Sequence, residues 1–284
     1  MLETNSTKFQ LTVDERTPYS VNSSSFTEET IMVHAERTHT PLTGKVAFIT
    51  GGSRGIGAAI AKRLAADGAS VAITYNASAD NAQDVVRAIE DAQGRAVAIK
   101  ADAGDHEAVR SAVIQAAGKF GSIDILVNNA GIGIHGAPED IDFADYQRII
   151  AVNITGMFVA TQEALRHMPK GGRIVQIGST MTRYAGISTA SLYTLTKGAI
   201  TGFARGLVRD LGPRGITVNT VHPGPTDTDL NPADGPIAKF VKPQIAVQRY
   251  GHVEDIADAV AYLAGPRASF VTGAELVVDG GFTA

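Results

Sequence analysis

From Leu42 onward, short apolar runs alternate with amphipathic stretches along the chain. Runs at 46–50, 71–75, 96–100, 124–128, 173–177, 216–221 and 276–278 predict seven strands. Between them apolar residues recur at helical spacing, as in 56–67 and in the stretch through Val85, Val86 and Ile89. Apolar strands separated by helices pair in parallel and are covered on both faces. Right-handed crossovers then give an α/β fold, a single-domain, Rossmann-type doubly wound sheet of about seven mainly parallel strands. No repeat of solenoid length and no low-complexity linker divides it.

The first forty residues break this pattern. Asn22-Ser23-Ser24-Ser25 and Thr27-Glu28-Glu29-Thr30 are polar and aperiodic, which predicts a flexible extension over 1–40 ahead of a domain spanning 41–284. A docking arm is the alternative for this segment, and Met32 leaves a later start open. Composition narrows the function classes. The net charge of −4 supplies no attraction to nucleic acid or an anionic membrane. No apolar run is long enough to cross a bilayer, and the N-terminus lacks a secretory pattern. Cysteine is absent, which removes disulfides, thiolate nucleophiles and Cys-based metal sites and fits a cytoplasmic location. The seven histidines form no HxxxH pair. His222 therefore reads as structural, and no catalytic metal is expected.

The most informative turn is Thr50-Gly51-Gly52-Ser53-Arg54-Gly55-Ile56-Gly57, between the first strand and its helix. Glycines at 51, 55 and 57 let backbone approach a pyrophosphate, and the helix that follows offers free N–H groups to the same anion. Tight strand–helix turns also need glycine for structural reasons alone, so the position after the first strand carries the weight. A nucleotide-triphosphate loop would end in Gly-Lys-Ser/Thr, which is missing here. An NAD-selective site places a carboxylate at the tip of the second strand. Here that tip reads Tyr75-Asn76-Ala77-Ser78, and Asp80 falls where the next helix opens. Without a repelling carboxylate, Arg54 is free to bind the additional phosphate of NADP(H), with Asn76 and Ser78 as neutral donors. The alternative leaves Arg54 pointing into solvent.

Asn128-Asn129-Ala130-Gly131, Asn153, Ser179, Tyr193 with Lys197, and Pro223-Gly224 follow in order. With the glycine turn, this set resembles the short-chain dehydrogenase/reductase family, from about Leu42 to the C-terminus. The wording is most similar to the 3-oxoacyl-(acyl-carrier-protein) reductase-like branch. The resemblance implies that Gly51, Ser53, Arg54, Gly55, Ile56, Gly57, Tyr75, Asn76 and Ser78 hold the phosphates and ribose of the cofactor. It places Asp102 and Ala103 at the adenine, and Asn129, Ala130 and Gly131 along the dinucleotide. Pro223, Gly224, Thr226 and Thr228 fall at the nicotinamide carboxamide. For Asp102 the alternative is to cap a helix starting near Asp105.

Tyr193 and Lys197 are four residues apart and share a helix face. Ser179 follows the strand at 173–177, at the carboxyl edge where doubly wound folds bind ligands. Carbonyl reduction needs a hydride donor, a proton donor and donors for the developing alkoxide. The resemblance assigns proton transfer to Tyr193, polarisation of the carbonyl oxygen to Ser179, and a relay water to Asn153. A helix kink near Gly156 is a second role for Asn153. A free phenol, with a pKa of about 10, is a weak base at neutral pH, and a neighbouring ammonium favours its ionised form. Lys197 takes that part in the resemblance and also orients the nicotinamide ribose.

The expected function is therefore NADP(H)-dependent reduction of a ketone, aldehyde or 3-oxoacyl compound. An NAD-preferring alcohol dehydrogenase stays open. So does a nucleotide-binding regulator, because 222–236 is also similar to a bacterial branch described as cyclic-di-GMP-binding biofilm-dispersal proteins. Met181, Tyr184 and Ile187, with Ile237, Phe240 and Val241 from 229–247, predict a partly apolar substrate wall or lid. A small helix packed on the core is the alternative there. The resemblance also implies a homo-oligomer, a tetramer joined through 153–167 and 191–211. Phe158, Leu165, Phe203 and Leu207 on those segments would equally pack on the sheet.

Overall fold

The computed structural model describes residues 40–284, so the extension expected over 1–40 lies outside the described residues apart from Thr40. All seven predicted strands form: β1 (Val46–Ile49), β2 (Ser70–Tyr75), β3 (Arg95–Lys100), β4 (Ile125–Asn128), β5 (Arg173–Ile177), β6 (Thr217–Pro223) and β7 (Glu275–Val278). They make one sheet in the order β3-β2-β1-β4-β5-β6-β7, parallel throughout. The chain runs outward from β1 to β3, then returns to the other side of β1 to place β4. Connections leaving β1 and β4 therefore diverge, and a crevice opens at their carboxyl ends.

The helices are α1 (Gly55–Ala66), α2 (Ala79–Asp91), α3 (His106–Phe120), α4 (Phe143–Ile150), α5 (Met157–His167), α6 (Ser191–Leu211), α7 (Ala238–Val241) and α8 (Val253–Ala264). Alternation along the strands sorts them into two layers. Ala47, Ile49, Val71 and Ile73 pack against Ile60 and Leu64 of α1, Val85, Val86 and Ile89 of α2, and Ile256 and Val260 of α8. Phe48, Leu126, Ile174 and Val218 face the other way, onto Val113 and Ala116 of α3, Ala164 of α5, and Ala204 and Leu207 of α6. Leu207 is thus a core residue, and Leu165 and Phe203 pack partly against the same layer. Phe158 stays exposed, its ring 5.7 Å from that of Phe203. No helix among the described residues is long and apolar enough to cross a membrane.

Two local features aim side chains at the crevice. Asp105 caps α3 by accepting from the Glu107 and Ala108 amides, so Asp102 is not that helix's cap. Between α4 and α5 the helix widens into a π-helical turn, Ala151–Gly156. A Cβ on Gly156 would lie 2.0 Å from the Ala103 carbonyl oxygen. Glycine there lets the widened turn press against the loop after β3, and Asn153 on that turn is buried beside the loop after β4. Wide turns of this kind recur at functional sites.

Candidate functional site

The glycine turn is clamped onto the sheet from both sides. Gly51 and Gly55 have φ of +67° and +53°, a region that favours glycine. The Thr50 hydroxyl accepts from the amides of Asn129 and Ala130, both at 3.0 Å. The Asn129 side chain donates to the carbonyls of Thr50 and Gly51, at 3.0 and 2.8 Å. A Cβ on Gly57 would stand 2.2 Å from the Gly51 oxygen and 2.5 Å from that Asn129 amide. The side chain of Asn129 therefore shapes the turn, and glycine at 57 is dictated by backbone on backbone. The amides of the first turn of α1 meet no side-chain cap and no acidic residue, which leaves them open to an anion.

At the adenosine end, Tyr75 closes β2, Asn76 is exposed, and Ser78 precedes α2 without capping it. Asp80 sits in the first turn of α2, so the tip of β2 carries no carboxylate. The Arg54 side chain is half exposed and lies 3.5 Å from the Asp229 carboxylate. Asp102 accepts from the Gly104 amide at 2.8 Å and from Arg148 at 3.0 and 3.1 Å. Partial burial alone would raise its pKa, but the hydrogen bonds from Arg148 and Gly104 outweigh burial and hold the carboxyl below its ordinary value. Asp102 is thus an ionised acceptor set beside Ala103, which lies against the π-helical turn. Nothing in the sequence pattern around Arg148 signals this partnership.

Around the end of β5, Lys197 stands beside Tyr193 and shares with Asn153 the space along Gly131, while Ser179 follows the strand. Lys197 is buried and donates from Nζ to the Ile177 carbonyl at 2.9 Å, and its ammonium lies 5.7 Å from the Tyr193 ring centre. A Cβ on Gly131 would lie 3.4 Å from Asn153 Oδ1 and 3.6 Å from Lys197 Nζ, so Gly131 lines the same space. Asn153 exchanges two hydrogen bonds of 2.9 Å with the backbone of Ile132. Its amide also donates to the Thr196 hydroxyl at 3.0 Å, which in turn donates to the Tyr193 carbonyl. Ser179 is buried and accepts from the Met181 amide at 3.2 Å. That contact uses an acceptor site on Oγ and leaves its O–H to donate elsewhere. The His135 ring lies 5.9 Å from Tyr193. Neither His135 nor Thr196 is marked by the sequence, because a loop histidine and a helix threonine carry no spacing signal.

The loop after β6 crosses toward the glycine turn. Pro223-Gly224 is pressed against the C-terminal turn, since a Cβ on Gly224 would meet that of Asp279 at 2.3 Å. Thr226 is buried, and a Cβ on Gly55 would touch the Thr228 methyl at 3.5 Å. Within 229–247 the small helix of the second reading forms, as α7. Ala238, Ile245 and Tyr250 form a small cluster with Val241 and Phe282 packed on it. Tyr184, Ile187, Ile237 and Phe240 remain exposed. A cleft of about 520 Å³ lies in this segment, lined by Ala233, Ala238, Lys239, Lys242 and Gln248 among others.

Comparison with known proteins identifies the family. The family described as Enoyl-(Acyl carrier protein) reductase matches residues 51–283. The Cyclic-di-GMP-binding biofilm dispersal mediator protein of Escherichia coli (strain K12) is 46% identical over 242 residues, covering 85% of this chain and 98% of that protein. A short-chain dehydrogenase/reductase from Serratia marcescens BCRC 10948 superposes with a TM-score of 0.84 at 54% identity, covering 86% of this chain and 100% of its own. A short chain dehydrogenase from Burkholderia cenocepacia J2315, solved in complex with NADP, gives 0.84 at 52% identity with the same coverage. By family match, identity and coverage the chain belongs to the short-chain dehydrogenase/reductase family of oxidoreductases.

Proposed function

We propose that this protein reduces a carbonyl compound, a ketone, aldehyde or 3-oxoacyl derivative, to an alcohol at the expense of NADPH. The observation that carries the reading is the Lys197 ammonium bound to the last residue of β5, two residues before Ser179, with Tyr193 beside it, in a domain whose glycine turn leaves helix amides uncapped. The cofactor fits the residues present. Gly51, Ser53, Gly55, Ile56 and Gly57 would take the pyrophosphate on backbone, as helix N-termini do. Arg54 would take the ribose phosphate, with Tyr75, Asn76 and Ser78 around it, and the carboxylate-free tip of β2 removes the repulsion an NADP phosphate would meet. Asp102, held by Arg148, would accept from the adenine amino group beside Ala103. Asn129, Ala130 and Gly131 would flank the dinucleotide, and Pro223, Gly224, Thr226 and Thr228 its carboxamide. The Burkholderia cenocepacia neighbour bound to NADP supports that choice over NAD.

Bound NADPH supplies the hydride. The chain supplies the rest. The Tyr193 hydroxyl gives its proton to the substrate oxygen as the carbon is reduced, and the free O–H of Ser179 donates to the same oxygen. Lys197 spends one N–H on Ile177 and keeps two for the nicotinamide ribose and the Tyr193 side. Asn153 Oδ1 spends one lone pair on Ile132 and keeps one for a relay water. Two donors converging on one oxygen suit a carbonyl, whose oxygen gains charge in the transition state. We place this chemistry in one domain over 41–284, acting in the cytoplasm as a homotetramer, with the exposed Phe158 and Leu195 of α5 and α6 as apolar contact residues.

The test is NADPH consumption over a panel of ketones, aldehydes, 3-oxoacyl and enoyl thioesters, with wild type and Tyr193→Phe. Turnover is expected on a carbonyl, falling about 10²–10⁴-fold in the variant with NADPH binding intact. Unchanged turnover in the variant removes Tyr193 from the chemistry. NADPH binding without turnover on any carbonyl favours the regulator reading suggested by the Escherichia coli relative.

A further inference from the structure

His222 is the penultimate residue of β6 and is completely buried. It shares a strand face with Val218 and Thr220 and so faces the α6 side of the sheet, where Ser179 leaves β5. A Cβ on Gly178 would lie 2.6 Å from His222 Nδ1 and 2.7 Å from Cε1. The imidazole occupies the space that any side chain at 178 would need. Its Nδ1 is 3.2 Å from the Ser179 nitrogen and 2.9 Å from the Ser179 carbonyl oxygen. These contacts are alternatives, because an unprotonated Nδ1 accepts from the amide while a protonated one donates to the carbonyl.

The surroundings choose between them. Nε2 lies 3.5 Å from the Glu275 carboxylate, which also pairs with Arg205 and lies 3.6 Å from Arg183. That carboxylate makes no hydrogen bond to Nε2, and its charge favours the ring proton on that nitrogen, which leaves Nδ1 as an acceptor. The Ser179 carbonyl also accepts from the Thr182 hydroxyl at 2.9 Å, so it is satisfied without the ring. Burial pushes the His222 pKa below its ordinary value, against the raising effects of Ser179 and Glu275 and with the charges of Arg183 and Lys197, so the ring is neutral. A line of contacts thus runs from Arg205 on α6 through Glu275 and His222 to the Ser179 backbone.

Resting on the reading that Ser179 polarises the substrate carbonyl, we propose that His222, oriented by Glu275, is a positioning residue that fixes the Ser179 backbone and thereby aims its hydroxyl. Hydride transfer is sensitive to small displacements, and misplacing a reacting contact by about 1 Å costs on the order of 100-fold. The imidazole touches neither reacting group and acts through Ser179 alone.

The test is a double-mutant cycle. His222→Leu removes the acceptor, and His222→Asn keeps an oxygen near the place of Nδ1. His222→Leu is expected to lower kcat about 10-fold or more with NADPH affinity, read by fluorescence titration, unchanged within about two-fold. His222→Asn should recover most of kcat. In a Ser179→Ala background, His222→Leu should cost nothing further, since the group it positions is gone. An equal loss in both backgrounds, or an unchanged kcat, overturns the proposal. If His222→Leu fails to fold, Glu275→Gln is read in the same two backgrounds. There a loss of about three-fold confined to the Ser179 background supports the proposal, and none overturns it. Ser179→Ala with wild-type kcat would instead defeat the catalytic reading of Ser179. A normal Ser179→Ala loss with an inert His222 defeats the positioning role alone.

Discussion

The two ends of the crevice are built on different terms. At the junction of β1 and β4, the turn is held by backbone and by the short side chains of Thr50 and Asn129; Gly57 leaves no room for a Cβ and Gly51 sits at positive φ. At the far end, Tyr184, Ile187, Leu230 and Phe240 stand in solvent, with Phe240 76% exposed, on segments that contain one four-residue helix. The first end suits a partner whose shape never varies, because close approach of main chain admits one ligand geometry. The second suits a partner that differs among relatives, because loops change without disturbing the sheet.

Breaking the rigid end should have the largest consequence. Gly57→Ala puts a methyl against the Gly51 oxygen and the Asn129 amide, so the turn itself must shift. NADPH affinity is expected to fall on the order of 100-fold, corresponding to about 3 kcal/mol of overpacking. Affinity within two-fold of wild type by titration would show that the turn is not clamped as described. Next in size is Arg54→Asp, which removes a charge-assisted contact worth about 1.5–3 kcal/mol and adds repulsion. The NADPH/NADH preference should drop at least about 10-fold. The exposed pairing of Arg54 with Asp229 offers little competition for the phosphate. An unchanged preference would mean that Arg54 does not read that phosphate. At the loop end the effect should be smallest. Phe240→Ser is expected to raise KM for an apolar carbonyl roughly three- to ten-fold, equivalent to about 0.7–1.4 kcal/mol of lost apolar contact, with NADPH affinity untouched. A change in NADPH affinity instead would mean that the two ends are not separable.

The same contrast explains what was legible in the sequence. Seven apolar runs became seven strands because a parallel sheet buried on both faces leaves the sequence no alternative to continuous hydrophobicity. The glycine turn was legible for a related reason, since a Cβ that cannot fit leaves glycine as a visible mark. Asp80 opening α2 was likewise foreseen from its place after the β2 tip. Asp105 caps α3 because it immediately precedes the helix, whereas the pairing of Asp102 with Arg148 of α4 is a tertiary contact with no local signature. The pairing of Asn153 with Ile132 and Thr196 required the widened turn at 151–156, which a 3.6-residue period does not reveal. His222 read as structural from its isolation in sequence. Its contact with Ser179 depends on the pairing of β5 with β6, at Ile177 and Val221, and on the space left by Gly178.

The claim beneath both ends is that a reduced nicotinamide is presented directly to a carbonyl carbon beside Tyr193. The most direct measurement uses NADPH carrying deuterium at the transferring position of C4, with an accepted ketone, and mass spectrometry of the alcohol formed. The account predicts one deuterium on the carbinol carbon, and its loss of yield in Tyr193→Phe. Alcohol formed with only solvent hydrogen at that carbon would contradict it.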